Sequence, residues 1–445
     1  MSGKSNISFP AIPALLLPLG MAETNLHLKR RHIEPIAIER MREDPVLLLE
    51  GPRAVGKSTL LEQLRSAANG RLLDLDNPAT QAAVADDPMT FVTGKGPLFI
   101  DEYQKVPQVL DAIKAELNRD SRPGRFVLTG STRHEALPRT AQALTGRLTR
   151  LRIDPLSQSE LRISGADLLS TLMTEGISTL LTRTPSTTTR LQYVTAMIAG
   201  GFPIANARPS TASRNRWFDE YIKLTLAKDL RELAQIRQEH LLPPLLNTLA
   251  AQTAGILNVE NIARSLGSDP RTILRYVDLL ENVFLTYRLP AWGRTISART
   301  TKAPKVHITD AGVAARLMRL SASKLATPEP SSQTELGHLV ESFVVGELLK
   351  STQLMDGMVI SGHWRTRDGD EVDLIVERDD GAIVAFEVKS SGQVSAKDTK
   401  ALRLLHDMVG PRLLAGVVMY MGEHTYRLGG TAPLIATPID SLWKV

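Results

Sequence analysis

Two groups of residues carry types and spacings suited to chemistry. The first is Gly51, Pro52, Arg53, Ala54, Val55, Gly56, Lys57, Ser58 and Thr59, which read GPRAVGKST and satisfy G-x-x-x-x-G-K-[ST]. The run sits between an apolar strand and a helix, where its mechanism needs it. Loop amides and the positive helix end can wrap phosphates, Lys57 can reach the β and γ groups of ATP, and Ser58 can bind Mg2+. Further along, PLFIDE is an apolar strand ending in Asp101 and Glu102. There one carboxylate can hold magnesium through water, and the next can orient or deprotonate the attacking water. Strand RFVLTGS sets Thr129 and Ser131 beside the γ-phosphate. Arg147, in LTGR, has the chemistry of an arginine finger, a role that implies contact between copies of the chain. Its bland alternative is a surface salt-bridge partner.

The second group lies in GDEVDLIVERDDGAIVAFEVKSS, near the end of the chain. Two alternating segments flank an acidic, glycine-containing break, the signature of an antiparallel hairpin. A three-residue loop, Asp379-Asp380-Gly381, pairs Arg378 with Ala382 and sets Asp373 opposite Glu387. A two-residue loop would set Asp373 opposite Val388 and break both patterns. Lys389 then shares a face with the two carboxylates, while Leu374, Val376, Val384, Phe386 and Val388 line the core side. Asp373 followed 14 residues later by Glu387-Val-Lys389 fits the D...(D/E)-x-K arrangement of metal-dependent nucleases. The carboxylates would hold a second Mg2+ or Mn2+, with Glu341 on the preceding helix as a further ligand and Lys389 steadying the nucleophile. The competing reading is the wet face of a sheet, with no chemistry at all.

The elements that must position these residues occupy a multidomain chain, because 445 residues exceed what one core holds. Composition is that of a soluble protein, and no apolar run approaches the roughly 20 residues of a membrane span. There is no cysteine, which removes disulfides and thiolate zinc sites and fits a reducing cytoplasm. A net charge of +5 permits nucleic-acid contact, and aromatics at 4% favour backbone contact over base stacking. Residues 1–27, with FPAIPALLLPLG, read as a disordered leader rather than an export signal, and Met21 is an alternative start.

From RRHIEPIAIERMRED onward, strands alternate with helices to about residue 160, the pattern of a parallel-sheet α/β domain. Residues 161–235 read as a helical lid broken by TRTPSTTTR. Residues 236–320 carry two amphipathic helices joined at Gly267, with Asp269 capping before Pro270 and a strand-like tail, a winged-helix pattern. There Arg271, Thr272 and Arg275 face outward for DNA while Ile273, Leu274, Val277 and Leu280 face inward, and a wing adds Arg294, Arg299, Lys302 and Lys305. The Ser/Pro-rich stretch 321–333 reads as a linker to a last α/β domain, 334–445.

GPRAVGKSTL, FIDEYQKVP, LTGS, PLSQSE, GGFP, GHLVESFVVGELL and the hairpin, in this order, resemble prokaryotic AAA-type ATPases with a C-terminal domain of unknown function (4143). The resemblance runs from about residue 28 to the C-terminus. It implies an AAA-like P-loop ATPase domain, a winged helix and a restriction-endonuclease-like tail. The expected activity is ATP hydrolysis coupled to that tail, acting on DNA. The rivals are a metal-dependent DNA nuclease and a non-catalytic ATP-dependent switch.

Overall fold

Strands β1 (Val46–Glu50), β2 (Arg71–Asp74), β3 (Leu98–Asp101), β4 (Phe126–Gly130) and β5 (Leu148–Arg152) pair in parallel in the order β2-β3-β4-β1-β5. The computed structural model describes residues 29–136, 144, 146–233, 236–293, 302–326 and 330–444, so the leader 1–27 lies outside the described residues. The interior strand β1 is buried on both faces. Leu47 and Leu49 join one apolar cluster, Val46 and Leu48 another, as a parallel sheet covered by helices requires. The edge strands are more polar: β2 is largely exposed, and β5 reads LTRLR. That polarity hides β5 from an apolar-run criterion.

The middle of the chain is helical. Helix Thr211–Leu224 continues through a π-helical turn, Thr225–Asp229, into Leu230–Leu233. Then follow helix Leu242–Ala251, β6 (Gly255–Ile256), helices Val259–Leu266 and Pro270–Asn282, β7 (Thr286–Leu289) and β8 (Lys305–Ile308). The three strands form an antiparallel sheet in the order β6-β8-β7. Gly267 ends the first helix of the pair in the left-handed region, φ 62°, and Asp269 caps the next through the Thr272 amide.

The stretch 321–333 is not an open linker. Helix Ala322–Ala326 occupies part of it, and Pro330 opens the long helix Pro330–Thr352. A proline fits the first turn because the amide it lacks would have no intrahelical partner there. Leu336, Leu339, Val340, Phe343, Val344 and Leu348 of this helix join the same apolar cluster as Leu47 of β1, so the units share a core.

The C-terminal sheet is mixed. Its strands β9 (Val359–Arg365), β10 (Glu371–Arg378), β11 (Ile383–Lys389), β12 (Leu413–Tyr420), β13 (Tyr426–Arg427) and β14 (Leu434–Pro438) run in the order β13-β14-β12-β11-β10-β9. Antiparallel β10 and β11 pair Leu374 with Phe386 and Val376 with Val384, a register that sets Asp373 opposite Glu387. The Arg378 amide donates to Ala382 O at 2.9 Å, and Gly381 adopts φ 84°, so the three-residue loop is the one formed. The face carrying Asp373 and Glu387 is not wet. Ile375, Ile383 and Ala385 of that face pack with Leu402 and Leu405 of helix Lys400–Val409. Parallel pairing of β11 with β12 makes β11 an interior strand, covered on both sides.

Candidate functional sites: a phosphate loop and a buried acidic cluster

The loop after β1 lies at the carboxyl end of the first sheet, where ligands of open α/β sheets bind. Gly51 permits close approach, since a Cβ there would meet Ile153 O at 2.1 Å. Ala54 and Gly56 both take positive φ, 64° and 97°, and turn the chain into helix Lys57–Ala68. The first amides of that helix have no intrahelical partner and are free for anions. Lys57 is 4% exposed, and its Nζ donates to Gly51 O at 3.0 Å and Pro52 O at 2.8 Å. Burial holds its pKa below the ordinary lysine range, outweighing the nearby Glu102 and Asp101 carboxylates.

Asp101 and Glu102 leave β3 beside this loop. Burial raises the Asp101 pKa, against hydrogen bonds from Thr129 and Ser58. The Ser58–Asp101 hydrogen bond brings together the two oxygens assigned to Mg2+, so the donor set fits a hard cation. Glu102 takes φ 54°, ψ 48°, a left-handed conformation that a glutamate adopts only at a cost of about 1–3 kcal/mol. It is held there by its neighbours. The Glu102 amide donates to Thr129 Oγ1 at 3.0 Å, and Ser131 Oγ donates to Glu102 Oε2 at 3.0 Å. Gln104 Nε2 bonds both Glu102 Oε2 and, at 2.9 Å, Ser131 Oγ. Sequence reading missed Gln104, although its place two residues after Glu102 was a usable signal.

Arg147 is not brought to this site. It precedes β5, whose Leu148 pairs with Val46 and whose Arg152 pairs with Glu50. The P-loop follows Glu50, so Arg147 sits at the other end of the sheet, about 20 Å away at some 3.3 Å per strand residue. Its Nη1 donates to Asn118 Oδ1 at 2.9 Å. The arginine that engages the middle unit from the P-loop is Arg53. Its Nη2 and Nε donate to Asp229 at 2.8 and 3.2 Å. Asp229 ends the π turn and is 3% exposed, and burial raises its pKa against the pull of Arg53. A 176-residue separation leaves this pair no signature in one sequence.

With that geometry in hand, residues 43–162 match the family model described as AAA domain. The first unit is AAA-like. Residues 190–324 and 336–442 match two domains of unknown function, DUF8612 and DUF4143. Uncharacterized proteins of Mycobacterium tuberculosis and Mycobacterium bovis are each 26% identical over 416 residues, 93% of this chain and 85% of theirs. A Walker-type ATPase of Pyrococcus abyssi superposes with TM-score 0.40 at 15% identity, covering 67% of this chain and 99% of its own. No helix among the described residues is long and apolar enough to cross a membrane.

On helix Pro270–Asn282, Arg271 and Arg275 are exposed and Thr272 is half-buried at the first turn, while Ile273, Val277 and Leu280 are buried. Leu274, expected inside, is 41% exposed; Tyr276 and Leu279 are buried instead, placing the apolar stripe one step round the helix. Of the wing residues, Arg294 and Arg299 lie outside the described residues. Lys302 is exposed but bonded to the C-terminal sheet, and Lys305 is buried. Lys302 Nζ donates to Arg365 O at 2.7 Å, and Lys305 is 2% exposed.

Lys305 changes the reading of the hairpin. Its Nζ lies 2.5 Å from Glu341, 2.5 Å from Glu371 and 3.0 Å from Asp373. Of the carboxylates expected to ligate a metal, Glu341 and Asp373 meet an ammonium group instead, joined by Glu371, which was not expected there. Asp373 Oδ2 also accepts from the Val388 amide at 2.9 Å, and Lys389 pairs with Glu387 at 2.7 Å. Burial opposes the Lys305 charge, but Asp373, Glu341 and Glu371 outweigh it and raise its pKa. Burial, then Asp373, raises the Glu341 pKa well above the carboxylate range and the Glu387 pKa to about 8. Among the described residues no group of three or more His, Asp or Glu is arranged to hold a metal.

Proposed function

We propose that this chain binds and hydrolyses ATP at the P-loop and relays its nucleotide state to the middle and C-terminal units. The observation that supports this reading most is convergence: Lys57, Ser58–Asp101 and the Thr129/Ser131/Gln104-held Glu102 meet at one mouth of the parallel sheet. Magnesium ATP, when bound, supplies the phosphoanhydride to be cleaved. Lys57 would exchange its two loop carbonyls for phosphate oxygens, and the amides of the Lys57–Ala68 helix start would hold the chain of phosphates. Ser58 and Asp101 would hold the magnesium. Glu102, steadied by Ser131 and Gln104, would orient the attacking water and accept its proton. Phosphate release by the purified chain, compared with Glu102→Gln, tests the assignment; equal rates would overturn it.

For the middle unit we propose a winged-helix module that meets DNA through Arg271, Thr272 and Arg275. Exposure of both arginines on one helix start supports it. For the tail, the Lys305-filled cluster favours a non-catalytic, regulatory role over the nuclease alternative.

A further inference from the structure

Oxygen atoms of Glu341, Glu371 and Asp373, the donor type that hard divalent cations take, converge on one point. The group found there belongs to the polypeptide. Lys305 comes from β8 of the middle unit, and its stem runs through protein interior. Lys389, the only other ammonium bonded to the cluster among the described residues, is engaged by Glu387 at 2.7 Å and Asp398 at 3.8 Å. Apart from Arg365, whose Nε lies 3.8 Å from Glu371 Oε2, Lys305 is the cation that neutralises the remaining carboxylates among the described residues. Glu387 Oε2 is buried with no hydrogen-bond partner among the described residues, so the cluster retains unused oxygen capacity.

The segment Pro290–Trp292, ahead of Lys305 in the chain, is docked on the same sheet. Ala291 forms a parallel bridge with His363 of edge strand β9. His363 N donates to Pro290 O at 2.9 Å, and Trp292 N donates to His363 O at 2.6 Å. Trp292 Nε1 donates to Glu377 Oε2 at 2.8 Å. Gly362 leaves the room this requires, since a Cβ there would meet Pro290 O at 2.7 Å. The middle unit thus adds a short strand to the sheet edge and drives a lysine into the acidic cluster behind it.

We propose that Lys305 is a built-in cation that takes the place of a divalent metal in this cluster and so latches the middle unit onto the edge of the C-terminal sheet. An ammonium on a strand cannot diffuse away. Removing it leaves buried carboxylates uncompensated, which either destabilises the fold or recruits a cation from solution.

The test uses the full chain without nucleotide, with Lys305→Met as the uncharged variant of similar shape. Mn2+ binding is read by electron paramagnetic resonance and stability by thermal melting. The wild type should bind no Mn2+ that Asp373→Asn abolishes. Lys305→Met should melt several degrees lower, take up one additional Mn2+ per chain, and recover most of the loss when Mn2+ is added. Lys305→Met/Asp373→Asn should lose that extra ion. If Lys305→Met does not fold alone, refolding with excess Mn2+ decides: recovery supports the latch, and failure overturns it. Wild-type Mn2+ uptake that depends on Asp373, or a Lys305→Met chain as stable as wild type without metal, would also overturn it.

Discussion

Replacing Lys57 by methionine should move binding and stability in different directions. In this structure the ammonium is buried on two neutral carbonyls, and burial outweighs the attraction of Asp101 and Glu102. The charge is thus a net cost to the nucleotide-free fold, and an apolar side chain of similar length should leave that fold at least as stable. Binding is different, because each hydrogen bond to a charged group is worth about 1.5–3 kcal/mol, or roughly 10- to 150-fold in affinity. At ATP a hundredfold above the wild-type Kd, binding stabilises the chain by about 2.7 kcal/mol; a hundredfold weaker variant gains about 0.4 kcal/mol. Melting with and without ATP, alongside titration with a fluorescent ATP analogue, reads both quantities. A Lys57→Met chain that binds ATP like wild type would mean that Lys57 never leaves its carbonyls. One that fails to fold without ATP would make the ammonium structural and refute the argument.

Glu102→Gln should keep ATP affinity and slow phosphate release by about a hundredfold or more, the usual worth of a general base; a matching loss of binding would place Glu102 on the ground-state phosphates instead. Glu387, faced by Asp373, Lys389 and Lys305, has a folded pKa of about 8, above its unfolded value. Its contribution to stability is therefore present below the unfolded carboxylate pKa and lost as pH rises through about 8. Urea midpoints followed across that window should fall in wild type and flatten in Glu387→Gln; parallel curves would contradict this. If Arg271 and Arg275 meet DNA phosphates, changing both to alanine should weaken binding to all sequences and reduce the salt slope by about 1 to 2. An unchanged slope would make this helix a packing element.

The hairpin register was legible because a turn and two alternations over-determine it: moving one residue would have put Asp373 opposite Val388. What covers the Asp373 face and what pairs with the β11 edge were not legible, because helix Lys400–Val409 and strand β12 are supplied from elsewhere in the chain. The phosphate loop and the acidic end of β3 were legible for the same local reason, being each a strand with its following turn. Lys305 and Asp229 were not. Their partners lie 68 and 176 residues away, and a lysine in a strand or an aspartate in a helix reads as a solvated charge until the fold closes over it. The place of Arg147 was not legible either: only the pairing of β5 with β1 shows which end of the sheet it occupies, and a finger supplied to another copy is not judged by its distance from its own P-loop.

The nucleotide site touches the middle unit at two points whose chemistry differs. From the P-loop, Arg53 reaches Asp229, a buried carboxylate at the end of a π turn, and such turns are single-residue accommodations within α-helices that recur at functional sites. From β4, the Arg133 amide donates to Asn282 O at 2.9 Å, two residues beyond the Ser131 that holds Glu102. The Arg133 and Arg152 guanidinium groups both lie over the Phe284 ring, at 5.8 and 5.6 Å. Phosphates at the P-loop compete electrostatically with Asp229 for Arg53, whereas the Ser131–Arg133 segment couples through backbone and responds to displacement rather than charge. The two contacts bracket the helix Pro270–Asn282 module, and beyond it Lys305 makes a buried ion-paired connection to the C-terminal sheet. Rearrangement of the middle unit on nucleotide binding must therefore either carry the acidic cluster along as one body or expose it, and a water-exposed cluster of that charge takes up cations.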